Sequence, residues 1–217
     1  TTTGIAPIIS YGVRITKKMV IRAGFQPGIG MKTINYNKLI FGDQIARGSG
    51  VPTIEDPTRS KVYFDFATGF LLYSESFWVG TSFFHLTGSN ESLFKFGASE
   101  LPIKYSVHGG MKVPLNEDES DDKKKKFLSP AFNYRAQQDF DQFDVGLYYT
   151  QFVFNVGLWY RGIPLLKRYA QGYANNDALA IIIGMQADRL NIGYIFDITI
   201  SRLATLSHGA HEVTLSY

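Results

Sequence analysis

Residues 191–200 read NIGYIFDITI, and the constraint in them is a period of two. Ile192, Tyr194, Phe196, Ile198 and Ile200 fall on one face of an extended chain, and Asn191, Gly193, Asp197 and Thr199 on the other. Successive Cβ atoms of a strand point to opposite sides, so this alternation predicts a strand with one apolar and one polar face. The pattern recurs in 61–72 (Val62, Phe64, Phe66, Phe70 against Asp65, Ala67, Gly69), in 142–150 (Phe143, Val145, Leu147, Tyr149 against Asp144, Gly146, Tyr148) and in 152–161 (Phe152, Phe154, Val156, Leu158, Tyr160 against Asn155, Gly157, Trp159, Arg161). Runs of ~9 to 11 residues match what a tilted strand needs to cross a bilayer. About eleven such segments begin near Gly4, Met19, Val62, Ser76, Ile103, Leu128, Gln142, Phe152, Ala178, Leu190 and Ala210, with no comparably clear helix between them. An all-β meander is the simplest fold that follows.

The composition of the second face separates two kinds of β protein. A soluble sandwich turns its polar face to bulk water, where glycine weakens a strand for no gain. Here that face carries Gly12, Gly24, Gly69, Gly80, Gly146, Gly157, Gly184 and Gly193, together with Arg14, Arg22, Asp65, Lys104, Lys112, Arg135, Asp144, Arg161 and Asp197. On the concave inside of a barrel glycine relieves crowding and lets strands bend. An apolar outside around a Gly-rich, charged inside predicts a transmembrane antiparallel β-barrel, a single domain over 1–217, rather than a soluble sandwich or lipocalin-like barrel. Connections agree: short turns at Lys17–Lys18, Ser74–Glu75, Gln151 and Asp188–Arg189 alternate with long links at 35–61, 88–102, 162–177 and 201–209. Short periplasmic turns opposite long extracellular loops are the asymmetry of outer-membrane barrels. Two links break it, since parity puts NEDESDDKKKKF (116–127) on the short side and a tight turn near Asp139 on the long side.

The net charge of +3 is too small, and its basic residues too scattered, to draw the chain to nucleic acid. Zero cysteines exclude a disulfide scaffold and thiolate metal ligation. No stretch reaches the ~20 apolar residues of a spanning helix, and TTTGIAPIIS lacks the form of a signal peptide. With short turns periplasmic, the first strand would start outside the cell, and eleven strands offend the even count of bacterial single-chain barrels. The expectation is a full chain of about 14 strands, with a signal peptide and about three strands ahead of Thr1.

A series of motifs carries a sharper likeness: FGDQ (41–44), LLYSESFWVG (71–80), LPIKYSVHGGMKVPL (101–115), LSPAFNYRAQQDFDQFDVGLYY (128–149), LWYRGIP (158–164), NNDAL (175–179), and IGYIFDITISRL through GAHEVTLSY to Tyr217. In this order they resemble the PorP/SprF family, outer-membrane proteins of Bacteroidota linked to the type IX secretion system and, in gliding species, to surface adhesins. The resemblance implies a non-enzymatic partner that helps export or anchor a secreted surface protein through its C-terminal sorting domain. It implies as further partners the lipid bilayer with its lipopolysaccharide and periplasmic secretion or motility components, and no cofactor. It supplies no binding residues.

Those come from the loops, because long loops on a rigid scaffold carry recognition. In 41–59 the candidates are Phe41, Asp43, Ile45, Arg47 and Ile54, and in 162–177 Leu165, Lys167 and Tyr169. HEVTLSY places Val213, Leu215 and Tyr217 on alternate positions, the form of a C-terminal strand signal for barrel assembly. Catalysis finds no support: His85, His108, His208 and His211 fall in no HExxH, GxSxG or paired metal-ligand spacing. The glycines of GFQPGIG (24–30) lack a strand-turn-helix context, Trp78 and Trp159 are better read as interfacial or luminal packing than as stacking platforms, and the charge run NEDESDDKKKK is better read as solvated than as a docking site. The alternative functions are a diffusion channel, suggested by the charged inner face, and, remotely, an outer-membrane hydrolase using His108.

Overall fold

The computed structural model describes residues 1–48, 52–54, 58–94, 97–116, 124–163, 168–170, 173–187, 189–207 and 209–217. The strands are β1 Thr2–Ile5, β2 Ile9–Arg14, β3 Val20–Thr33, β4 Ser60–Tyr73, β5 Phe77–Phe84, β6 Lys104–Met111, β7 Val113–Pro114, β8 Lys126–Gln137, β9 Phe140–Gln151, β10 Phe154–Gly162, β11 Arg168–Ala170, β12 Tyr173–Ala174, β13 Asn176–Ala187, β14 Leu190–Thr199 and β15 Ala210–Ser216. Helix is confined to α1, Gly42–Arg47, and to single 3-10 turns at Tyr36–Lys38 and Arg202–Thr205. The fold is all-β, as the alternation predicts. Thirteen strands form one antiparallel sheet in the order β1-β3-β4-β5-β6-β8-β9-β10-β13-β14-β15, with β2 on β3 and β7 on β8, while β11 and β12 pair by themselves. The eleven strands of that path match the eleven alternating segments in order, except that the first segment, begun near Gly4, is split into β1 and β2, both paired with β3.

By contact the chain divides into two compact units, one of residues 1–12, 22–70 and 82–105, the other of 13–21, 71–81 and 106–217. Inside the first, Phe25 and Phe66 stack at 5.7 Å, the Thr68 hydroxyl donates to the Gly24 carbonyl at 3.0 Å, and the Tyr63 ring lies over Gly30, where a Cβ would meet it at 2.5 Å.

The second unit is defined by register. Antiparallel pairing lines up Phe132, Val145, Tyr160, Leu179 and Ile198 in one row, Pro130, Leu147, Leu158, Ile181, Phe196 and His211 in the next, and Leu128, Tyr149, Val156, Ile183, Tyr194 and Val213 in a third. A one-residue slip would carry each row to the other face, so an apolar side this uniform fixes the pairing. These side chains nonetheless stand open: Leu158 is 51% and Ile183 53% exposed, although both lie mid-strand. Among the described residues the buried apolar side chains are alanines alone, Ala67, Ala131, Ala136, Ala178 and Ala180. Among the described residues the large apolar side chains thus form an exposed face rather than a buried core.

Turns follow local chemistry. At Ser74–Ser76 the Ser74 hydroxyl accepts the N–H groups of Ser76 and Phe77 at 3.2 and 3.1 Å, a side-chain turn that reverses the chain in the run YSESF. The β8–β9 hairpin closes through Gln138 and Asp139 with Gln138 at φ 54°, the tight turn expected near Asp139. The β9–β10 hairpin closes through Phe152 and Val153, with Phe152 at φ 53°. That corrects the sequence reading by two residues: Gln151 ends β9 rather than forming the turn, and Phe152 precedes β10. A bulky residue in the left-handed region goes against composition, so no turn signal marked it.

Candidate functional site

Two places combine polar chemistry with access, one in each unit. In the first unit the link between β3 and β4 is a small folded structure built on Asp43. Its carboxylate pairs with Arg47 one helical turn on, accepts the Thr53 hydroxyl at 2.9 Å and accepts the Ile54 N–H at 2.9 Å. Arg47 also donates to the Pro52 carbonyl at 3.0 Å. The Ile54 N–H, assisted by Arg47 and Thr53 and partly opposed by desolvation, lowers the Asp43 pKa from 3.8 to about 2. At the helix start the Gln44 side-chain carbonyl accepts the Phe41 N–H at 3.0 Å, and the Phe41 ring stacks on Tyr36 at 5.7 Å. The base is tied down by the Tyr36 hydroxyl on the Thr58 carbonyl at 3.3 Å and by Thr58 N–H on the Leu93 carbonyl at 2.6 Å.

Five predicted residues of this link thus come together, Asp43 and Arg47 holding the frame and Phe41 closing its base. Ile45 and Ile54 are turned outward, 73% and 75% exposed, and Ile40 is 65% exposed. Leu165 and Lys167 lie outside the described residues, as does the side chain of Tyr169. Val213 and Leu215 are on the apolar face of β15, opposite Tyr194 and Ile192, and Tyr217 follows the strand.

In the second unit the polar faces of β8, β9, β10, β13, β14 and β15 form three adjacent rows: Asn133, Asp144, Arg161, Ala178, Thr199; then Ala131, Gly146, Trp159, Ala180, Asp197, Ala210; then Ser129, Tyr148, Gly157, Ile182, Ile195, Glu212. In the second and third rows a ring faces a glycine, Trp159 opposite Gly146 and Tyr148 opposite Gly157. The Trp159 indole occupies the space a Cβ on Gly146 would need, and the Tyr148 ring lies where a Cβ on Gly157 would meet it at 2.5 Å. The two rings touch edge to face at 5.9 Å and 71°. Each glycine is therefore a seat for the ring of the neighbouring strand, which is why both hairpin strands need one.

At the end of these strands from which the links 163–175 and 200–209 spring, charges interlock. Asp144, 7% exposed, accepts from Arg135 Nη2 at 3.2 Å, Gln142 Nε2 at 2.8 Å and Asn133 Nδ2 at 3.4 Å, with Arg161 Nε at 3.5 Å. Arg161 reaches on to Asp197 at 3.4 Å and Asp177 at 4.0 Å. A carboxylate so far out of water requires this many donors. Beside the network opens a cavity of about 220 Å³ walled by Tyr148, Trp159, Asp197 and Glu212. Sequence reasoning assigned Arg135, Asp144, Arg161 and Asp197 to the inner face but did not nominate them as a site, and it missed Glu212. Cross-strand register would have joined them, and register is visible only after pairing.

The histidines scatter. His85 pairs with Asp65 at 2.7 Å, His108 fills the space over Gly80, His211 stacks on Phe196 at 4.6 Å and meets the Tyr194 hydroxyl, and His208 lies outside the described residues.

One antiparallel sheet, with an exposed apolar face and a polar face of seated rings and interlocked charges, defines an all-β protein. The family of type IX secretion system membrane proteins PorP/SprF matches residues 1–217, and the chain belongs to it. No curated protein matches the chain.

Proposed function

We propose that this protein is an outer-membrane barrel partner of the type IX secretion system that helps export or anchor a secreted surface protein, an adhesin in a gliding cell, by engaging its C-terminal sorting domain. The observation that carries this is the family match over the whole chain. The apolar rows face lipid and lipopolysaccharide, the short turns face the periplasm and its secretion components, and the long links face outward. The 34–59 link is the contact surface: an Asp43-centred frame holds Ile45 and Ile54 in water, an arrangement with a hydrophobic cost that a partner relieves. Leu165, Lys167 and Tyr169 extend the contact from the second long link.

The full-length protein, purified in mild detergent, is the reagent for the test, with the purified sorting domain of the co-expressed surface protein as ligand. Truncating each of two well-buried interface aliphatics costs on the order of 1 kcal/mol or more, so Ile45→Ser with Ile54→Ser weakens binding at least about tenfold. Unchanged affinity would remove this link from the contact. A barrel that binds no sorting domain and conducts ions across a planar bilayer would be a diffusion channel instead.

A further inference from the structure

The cavity beside Trp159 is chemically more specific than a packing gap. Its lining includes three carboxylates, those of Asp144, Asp197 and Glu212, and one guanidinium, that of Arg161. Asp144 is already met by four donors, and Asp197 meets Arg161 at 3.4 Å. Glu212 has no hydrogen-bond or ion-pair partner among the described residues. It stands on the polar face of β15, opposite Ile195, while Asp197 stands opposite Ala210. The two carboxylates are thus diagonal neighbours on adjacent strands, a relation that separates such positions by about 7–8 Å. A spacing of that order leaves room for a cationic group between two carboxylates. The floor beneath is aromatic, with Tyr148 and Trp159 crossed edge to face over Gly157 and Gly146, and an aromatic face attracts a desolvated cation. Ile182 and Ile195 add apolar wall suited to an aliphatic stem.

We propose that this cavity receives a basic side chain, the ammonium of lysine or the guanidinium of arginine, from the secreted chain that the protein holds. The identity of the guest rests on the function proposed above; the cation chemistry rests on the cavity alone. A volume of about 220 Å³ suits a single long side chain, and the cavity lies near the ends of β10, β13 and β14. Negative lining discriminates against acidic guests, and the rings against small hydrated ions.

The test titrates N-acetylarginine amide into the full-length protein in detergent and follows binding by calorimetry. It is repeated by tryptophan emission in a Trp78→Phe background, since the chain has two tryptophans and the signal then comes from Trp159. The neutral N-acetylglutamine amide is the control. Saturable binding of the arginine probe, no saturation by the control, and about fivefold weaker binding in Glu212→Gln is the expected result, the upper range for a partly exposed ion pair. No saturation, an equal response to the neutral probe, or an unaltered affinity in Glu212→Gln overturns the site. The guest is tested separately, by retention of the surface protein on cells carrying Glu212→Gln at the wild-type barrel level. Reduced retention supports a side chain of the secreted protein as guest. Full retention with impaired probe binding overturns that guest in favour of a free organic cation. If the wild-type protein retains no surface protein while the probe still saturates, the secretion reading has failed and the cation site has not.

Discussion

Gly146 and Gly157 sit on neighbouring strands, each beneath the ring that faces it, so each position is defined by a volume its side chain must not have. A methyl group at Gly157 meets Tyr148 at 2.5 Å, and the Tyr148 ring is also in edge-to-face contact with Trp159. Overpacking of this kind costs about 1–3 kcal/mol. Gly157→Ala should therefore lower the denaturant midpoint of the refolded protein, whereas Gly42→Ala, where a Cβ meets nothing within 4 Å, should leave that midpoint unchanged. The same comparison in tryptophan emission tells whether the loss arises at the ring pair. Asp144 is the other residue whose surroundings dictate its identity. Asp144→Ala leaves Arg135 and Arg161 facing each other without their shared counter-ion, a loss of about 2 kcal/mol after allowing for the water that reaches both guanidiniums. Asp144→Asn keeps the shape and loses less. An alanine variant as stable as wild type would show that the network contributes nothing net, as some buried ion pairs do.

At the scale of elements, strands were legible and links were not, for one physical reason. A strand repeats its constraint every second residue, so ten residues state the same face several times; a link states each contact once. Residues 191–200 and 152–161 fall within one or two positions of β14 and β10 on alternation alone. The six-residue helix inside 35–61 escaped because it lacks apolar periodicity and has no buried residue; it stands on the single carboxylate of Asp43. The β9–β10 turn was displaced because Phe152 takes a backbone angle that composition assigns to glycine or asparagine. Dependence on Asp43 makes the link pH-sensitive in a definite direction. Its pKa is about 2 when folded and 3.8 as the ordinary value, so its contribution is complete above pH 3.8 and fades as pH falls through about 2. Hydrogen exchange at the Ile54 amide should thus show constant protection from pH 7 to about 4, after correction for intrinsic exchange rates, and a decline below that. Asp43→Asn should lower protection already at pH 7. Protection that stays constant down to pH 2 would contradict an Asp43-centred frame.

Across the whole chain, the sequence feature of widest reach is that both faces of the sheet are chemically committed, one to apolar side chains and the other to glycine, ring and charge. The alternation identified the two faces, but which polar-face residues meet was set by pairing between distant segments, as with Asp144 of β9 and Asp197 of β14, both reached by Arg161 of β10. That commitment has a measurable asymmetry between adjacent strands. Leu158 on β10 lies in the row with Leu147 and Ile181 on the open apolar face, while Ile182 on β13 lies in the row with Tyr148 and Gly157 on the polar face. If the apolar face meets lipid, Leu158→Lys places an ammonium within the hydrocarbon, at about 2–4 kcal/mol near the midplane. Ile182→Lys places the same charge on the polar side, beside Asp197 and Glu212, where both carboxylates and water offset its cost. Refolding the full-length protein into vesicles over a denaturant series should give Leu158→Lys a stability loss at least twice that of Ile182→Lys. Equal losses, or a greater one for Ile182→Lys, would mean that the exposed apolar rows are covered by something other than lipid, and would overturn the placement of this sheet in a membrane.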